Sequence, residues 1–257
     1  MSLHTNKITE ARTSLGEWYD LIMENQMNVI HNYVSILEKH KSDFLELSSG
    51  TGRILTQLLQ KSLMAEGLEI GSELRQICAK RLQKHDLQTN IYAQTPETLS
   101  LSKKYGTIYS VGGTFCLVTD LRIVTEYLRK LYQLLLNGGS LIIELFVPWK
   151  QIISDKPDVW KTGKTAYNPK TGEQLIVQYS DIFDFSQQIR QMHSRYDVYK
   201  NNELWYAHYD MVETRWYGIN EFTLMLEKAG FHKIECTVVK DNPFHEHAML
   251  FTATKLE

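Results

Sequence analysis

The hydrophobic positions of this chain keep a helical period, then alternate between strand and helix, then fall into a strand period. These changes divide the sequence. Within 14–40, Trp18, Leu21, Ile22 and Met23 form one apolar stretch, and Val29, Ile30, Tyr33, Val34, Ile36 and Leu37 form a second at helical spacing. That pattern predicts an N-terminal helical segment. Short apolar runs at 43–47, 63–70, 90–93, 107–111 and 140–146 predict strands. Helices are predicted between them at about 53–61, 73–83 and 121–136, the second capped by Ser72. The third repeats its apolar face at Leu121, Val124, Leu128, Leu131 and Leu135, and Asn137-Gly138-Gly139 reads as its C-cap. The run 140–146 is apolar nearly throughout, as expected of a strand covered on both faces. Strand and helix alternating from 43 to 147 predict an α/β fold, a doubly wound, mostly parallel sheet with helices on both faces.

The period changes again over 165–217. Strand-like runs there are broken by turn signals at Asn168-Pro169-Lys170-Thr171-Gly172, Asp184-Phe185-Ser186 and Lys200-Asn201-Asn202. They predict an antiparallel sheet inserted after the fifth strand. A helix at 219–229, ended by Gly230, and strands near 231–239 and 247–255 return the chain to the first sheet, making it seven-stranded. The expected organisation is a helical cap at 1–42, a core at 43–160 and 218–257, and a cover sheet at 161–217.

At 257 residues the chain suffices for one elaborated domain with a large core. Lys and Arg number 28 against 30 Asp and Glu, a net charge of −2. Nucleic-acid binding asks for a basic excess, so no such partner is expected. No apolar run approaches the roughly 18 residues of a membrane span, and 1–10 is polar, without the apolar core of a signal sequence. No membrane partner is expected. Cys78, Cys116 and Cys236 lie far apart and form neither a disulfide framework nor a metal motif, which suits a reducing cytoplasm.

The segment Phe44-Leu45-Glu46-Leu47-Ser48-Ser49-Gly50-Thr51-Gly52-Arg53 carries the most chemistry. An apolar strand meets a carboxylate, then a small-residue turn, then a helix start, so that backbone can approach a ligand closely. A pyrophosphate at a helix N-terminus wants positive potential, and Glu46 supplies the opposite. The pattern favours a ligand with cationic groups at the turn. S-adenosylmethionine carries an ammonium and a sulfonium there, whereas NAD carries two phosphates. Glu69 follows Glu46 by 23 positions, near where an acidic residue grips a ribose diol in such folds.

The turn, together with Gly67-Leu68-Glu69-Ile70, Leu136-Asn137-Gly138-Gly139-Ser140-Leu141 and Ala229-Gly230-Phe231, resembles the class I S-adenosylmethionine-dependent methyltransferases, which have a Rossmann-like fold. The inserted antiparallel sheet is similar to that of amino-sugar N-methyltransferases. The resemblance covers most of the chain. It implies in-line methyl transfer from S-adenosylmethionine to an N or O atom of a small-molecule acceptor. It further implies that Glu46 lies near the amino-acid end of the cofactor and that Ser48, Gly50 and Gly52 form the turn beneath it. Glu69 and Ile70 would meet the ribose, Thr95 the adenine, and Gly112 the cofactor at the end of strand four. Tyr19, in Trp18-Tyr19-Asp20, would belong to a segment that closes over the cofactor. Ser48 stands where glycine is usual, Thr95 where an aspartate often meets the adenine amine, and Gly106 replaces a frequent aspartate before strand four. Two other readings stand beside this one: an NAD(P)-dependent oxidoreductase, opposed by Glu46 and the missing six-residue glycine pattern, and a methyltransferase-like protein that binds cofactor or partner without turnover.

Methyl transfer needs a nucleophile with a free lone pair held about 3 Å from the methyl carbon, water kept out, and a base where the nucleophile is protonated. Strand parity in the insert puts His193 and Arg195 on one face, and Leu204, Tyr206, His208 and Asp210 on one face of the next strand. His193, Tyr206 and His208 are candidates to face a pocket, with His208 or His193 as base; the alternative is an outward-facing polar side of a half-exposed sheet. Arg195 and Arg215 either grip an anionic group of the substrate or pair with Asp197 and Glu213. The aromatics Tyr196, Tyr199, Trp205, Tyr206, Tyr209, Trp216 and Tyr217 line a pocket, or serve as sheet packing or a homodimer face. Asp241, His245, Glu246 and His247 offer no evident third ligand on one face, so no metal is expected.

Overall fold

The computed structural model describes residues 16–23, 27–40, 43–154, 159–239 and 248–256. The helical N-terminal segment is two helices, α1 (Gly16–Met23) and α2 (Met27–Leu37). The central run reads β1 (Phe44–Leu47), α3 (Arg53–Gln60), β2 (Ala65–Leu68), α4 (Ser72–Lys84), β3 (Ile91–Tyr92), β4 (Tyr105–Ser110), α5 (Leu121–Leu134), β5 (Leu135–Phe146) and α6 (Trp149–Ser154). Then come β6 (Lys161–Asn168), β7 (Glu173–Asp184), β8 (Ile189–Lys200), β9 (Glu203–Arg215), α7 (Ile219–Lys228), β10 (His232–Val239) and β11 (Ala248–Thr254).

A seven-stranded sheet has the order β10-β11-β5-β4-β1-β2-β3. β3, β2, β1, β4 and β5 run parallel, and β11 is antiparallel to both its neighbours. Alternate residues of β1 send Phe44 to one face and Leu45 to the other. Phe44 packs with Leu55, Leu58, Cys78 and Leu82 from α3 and α4. Leu45 packs with Leu128, Leu131 and Phe222 from α5 and α7. Helices thus cover both faces, which is why Leu141–Phe146 in β5 is buried residue after residue. The buried side chains of α5, at Val124, Tyr127, Leu128, Leu131 and Leu134, keep helical spacing, and Asp120 caps its first turn, accepting from Arg122 N at 2.8 Å.

Two local expectations are corrected. Asn137-Gly138-Gly139 is not a helix cap: α5 stops at Leu134 and these residues lie inside β5. Pairing with β4 jumps from Tyr105–Leu135 to Thr107–Ser140, so the intervening residues bulge, and Gly138 and Gly139 bond instead to Lys255. Nor is Ser72 the cap of α4; that position is Gly71, whose N–H is taken by the Glu69 carboxylate at 2.8 Å.

The insert is a separate four-stranded antiparallel meander, β6-β7-β8-β9. Its turns fall at the three signals named above. Asp184 ties down one by accepting from Ser186 and Gln187 N–H, and Asn201 and Asn202 take left-handed φ values of 54° and 64° in another. Trp18 of α1 packs on its Leu175 and Val198, which fastens the N-terminal helix to the cover sheet.

Close packing sets one glycine apart from another. A Cβ on Gly52 would lie 2.2 Å from the Cys78 sulfur, at φ +76°, whereas one on Gly112, at φ +69°, would touch nothing within 4 Å. Gly52→Ala is expected to cost about 3 kcal/mol, overpacking added to left-handed strain, and Gly112→Ala about 1 kcal/mol, strain alone. Urea denaturation of both variants checks the difference, and adding Cys78→Ala should restore part of the Gly52→Ala loss.

Candidate active site

The turn after β1 is wound left-handed at three places: Ser48 (φ 56°), Gly50 (φ 57°) and Gly52 (φ 76°). Ser48 is therefore a non-glycine residue in a conformation that favours glycine. Backbone closes the turn, Ser49 N donating to Leu68 O at 2.8 Å and Gly52 N to Ser49 O at 2.9 Å. Glu69 closes it from the side. Its Oε2 accepts from Gly50 N at 2.9 Å and its Oε1 from Gly71 N at 2.8 Å. Each carboxylate oxygen keeps a further lone pair for another donor.

A cavity of about 580 Å³ opens above this turn, between the C-terminal ends of the parallel strands and the inner face of the antiparallel sheet. Glu46, Ser48, Gly50 and Gly112 line its floor, and Tyr19 closes its side. A second cavity of about 90 Å³ adjoins it, lined by Glu69, Ile70, Gln94 and Pro96. Ser48 and Thr114 line both, so the two chambers meet at the tip of β1.

Glu46 is 5 % exposed, and its Oε2 has no hydrogen-bond partner. Burial pushes its carboxyl up to about 8, against the smaller opposing pull of the Tyr109 hydroxyl and the Arg53 charge. A buried acid with an oxygen left over, in a residue that lines a cavity, is a candidate receptor for a cation or a donor.

Helix α1 is latched over the turn. Thr51 Oγ1 donates to Asp20 at 2.6 Å, and Arg81 bridges the same carboxylate at 2.6 Å to Thr51 O at 2.8 Å. Arg53 stacks on the Tyr19 ring 5.2 Å from its centroid and donates to Met23 O at 3.3 Å. The Trp18 indole donates to the Tyr206 hydroxyl at 3.3 Å, reaching the far sheet. One short helix thus touches both the glycine turn and the cover.

The structure brings together Tyr19, Glu46, Ser48, Gly50 and Gly112 in the large cavity, and Glu69 and Ile70 in the small one. Other residues singled out from the sequence lie elsewhere. Gly52 sits beneath the turn against Cys78 and lines neither cavity. Thr95 lies between two lining residues of the small cavity, but its own hydroxyl is engaged with Thr98. The register of the insert separates the two histidines. Tyr196 pairs with His208 and Ser194 with Asp210, so Met192, Ser194 and Tyr196 share the cavity face with Asp210 and Val212, while His193, opposite Met211, points the other way. His193 is bonded to Tyr209 there. His208 is on the cavity side, its ring 6.2 Å from that of Tyr196, but does not line the cavity. Arg195 pairs with Asp197 at 2.8 Å, and Arg215 donates to Thr119 O at 3.2 Å and stacks on Tyr217. Asp241, His245, Glu246 and His247 lie outside the described residues. Among the described residues no group of three or more His, Cys, Asp or Glu is placed to hold a metal, and no helix is long and apolar enough to cross a membrane.

Sequence reasoning missed Arg53, Arg190 and Ser194, all on the cavity wall. Arg53 was legible as the first residue of α3, directly after the glycine turn. Arg190 and Ser194 carried no local signal, because parity alone does not say which side of a sheet is covered.

By sequence the chain matches no protein-family model and no curated relative. By structure it superposes on an S-adenosylmethionine-dependent methyltransferase from Clostridium acetobutylicum at 13% identity and TM-score 0.74, covering 96% of this chain and 100% of that one. The chain has the methyltransferase fold. The sugar N-methyltransferase KedS8 from Streptoalloteichus shares that fold at 14% identity and TM-score 0.68, over 90% of this chain and 86% of the other. S-adenosylmethionine-bound CalS10 from Micromonospora echinaspora, an amino pentose methyltransferase, does so at 14% identity and TM-score 0.67, over 91% of each chain. Identities this low carry the fold and leave the site to its own residues.

Glu46 ties stability to pH. The folded chain holds the Glu46 proton to about pH 8, while an unfolded glutamate releases it near 4.5. Its contribution is therefore complete below about pH 4.5 and is lost as pH rises towards 8, at up to about 1.4 kcal/mol per pH unit. Glu46→Gln, neutral throughout, should lack this slope and gain stability relative to the parent between pH 5 and 8. Urea unfolding at the two pH values measures it, and identical slopes would mean that Glu46 is ionised in the fold.

Proposed function

We propose that this chain binds S-adenosylmethionine and directs its methyl group to an amine nitrogen of a small polar acceptor held beneath the antiparallel sheet. The observation that carries this reading is the pair of buried carboxylates at adjoining cavities. Glu46, a lining residue of the larger cavity, keeps a buried oxygen without a partner, and Glu69 lines the smaller one with both oxygens already oriented by backbone N–H groups. A ligand with a cationic end and a diol fits the two together. Glu46 is neutral or negative and never positive, so it offers a pyrophosphate no countercharge, whereas an ammonium gains one when the carboxyl ionises.

The residues present fit the cofactor. Glu46 takes its ammonium, Glu69 its ribose hydroxyls, and the left-handed turn from Ser48 to Gly52 leaves backbone open to close approach. When bound, S-adenosylmethionine supplies an electrophilic methyl group on a sulfonium. The protein's own part is positioning and dehydration. Tyr19 and Arg53 close the side of the cavity, and the β7–β9 face covers it from above. The choice of nitrogen and of a polar acceptor draws on the sugar N-methyltransferase and amino pentose methyltransferase that share the fold. Polar side chains on the covering face, among them Ser194 and Thr214, support it.

Calorimetric titration with S-adenosylmethionine, S-adenosylhomocysteine, NAD and NADP tests this directly. The first two should bind at micromolar concentration and the dinucleotides should not. Because Glu46 holds a proton to about pH 8 before binding, an ammonium placed on it should expel that proton. Roughly one proton per cofactor should appear at pH 7 in buffers of different ionisation enthalpy, and affinity should rise from about pH 5 to 8. Glu69→Gln should weaken binding about tenfold and also lower the melting temperature by several degrees, because the new amide nitrogen would face one of the two backbone N–H groups that the carboxylate accepts. Dinucleotide binding, or none of the four, would remove the reading.

A further inference from the structure

The cover sheet holds an ion pair where an apolar contact would serve packing as well. Arg190 of β8 is 9 % exposed and Asp181 of β7 is 4 % exposed. The pair is bidentate: Nε donates to Oδ1 at 2.8 Å and Nη2 to Oδ2 at 2.9 Å. Nη2 also approaches Met192 Sδ at 3.6 Å. Withdrawing both charges from water costs about what their attraction returns, so such a pair adds little stability over well-packed apolar side chains. What it adds is orientation. The Asp181 fork fixes the guanidinium plane, and Arg190 lines the large cavity. Nη1 is bonded to no other described residue, leaving it as the donor available to a ligand.

Charge decides what that donor suits. Asp181 neutralises the guanidinium, so the pair brings no net charge to the cavity. A carboxylate or phosphate at Nη1 would sit in the field of the aspartate behind it, whereas a hydroxyl or ether oxygen takes the N–H without that penalty. The surroundings agree. Thr214 stands opposite Arg190 in the ladder and also lines the cavity, and Ser194, further along the same face of β8, does too.

Resting on the methyltransferase reading, we infer that Arg190, held by Asp181, is the residue that recognises the acceptor, donating through Nη1 to a neutral oxygen substituent, a hydroxyl or ring oxygen. Arg190 is the contact and Asp181 a positioning residue. A site built to bond a hydroxyl rejects the analogue lacking it far more strongly than a greasy pocket rejects an added one, because its own donor is left unpaired.

The probes are two ring amines, D-glucosamine and cyclohexylamine, titrated into protein saturated with S-adenosylhomocysteine. The parent should bind glucosamine at least tenfold more tightly than cyclohexylamine. Arg190→Met should abolish that preference while leaving S-adenosylhomocysteine affinity unchanged, which serves as the control for folding. Should that variant lose the nucleoside, Arg190→Lys, which keeps the charge but not the fork, carries the same comparison. Asp181→Asn gives a readout that a merely structural role would not: with the guanidinium no longer neutralised, D-glucuronate, rejected by the parent, should now bind. Equal binding of the two amines, binding of neither, a preference that survives loss of Arg190, or no gain of glucuronate would overturn the inference. Failure of the parent to bind S-adenosylhomocysteine is a different result; it removes the cofactor reading beneath it.

Discussion

The mouth of the parallel sheet depends on one carboxylate. Glu69 binds the N–H of Gly50 with one oxygen and the N–H of Gly71 with the other. These N–H groups belong to the two loops that follow β1 and β2, neighbouring strands in the sheet. Each loop would otherwise keep a buried donor to satisfy. Joining them through one side chain fixes the height of the glycine turn relative to the start of α4. It also orients the carboxylate itself, since two charge-assisted bonds leave it little freedom.

What the turn costs in backbone strain is recovered by what surrounds it. Ser48 sits in the left-handed region, a conformation worth roughly 1–2 kcal/mol against a non-glycine residue. The neighbouring positions are held by the Ser49–Leu68 bond, by the closeness of Gly52 to Cys78 and by the Asp20–Thr51–Arg81 network. Strain that persists because its surroundings over-determine it is common where backbone is shaped for a ligand.

The N-terminal helix joins the two layers. Asp20 and Tyr19 engage the turn and α3, and Trp18 buries itself against Leu175 and Val198 of the cover sheet. The large cavity is therefore bounded by loops of the parallel sheet, the antiparallel meander, both N-terminal helices and the start of α6.

The sequence by itself determined the layers. Alternation of apolar runs between strand and helical period specified the doubly wound sheet, because a helix or strand that buries one face writes that face into its spacing. It also marked Glu46, Gly50 and Glu69, because a carboxylate beside a small-residue turn is a local pattern. Tertiary structure decided the rest. Strand parity placed His193 and Arg195 on one side of β8 but could not say that the cavity lay on the other; register puts Ser194 and Asp210 on one face, and the docking of that face over the parallel sheet makes it the cavity side. Asn137-Gly138-Gly139 reads equally as a helix end or a strand bulge until Lys255 pairs with it from the far end of the chain. The Arg190–Asp181 fork joins residues nine positions apart through a hairpin. Its significance comes from burial beneath a cavity that no single segment forms. Spacing along a chain encodes which residues share a face; only the docking of one sheet over another determines what that face looks upon.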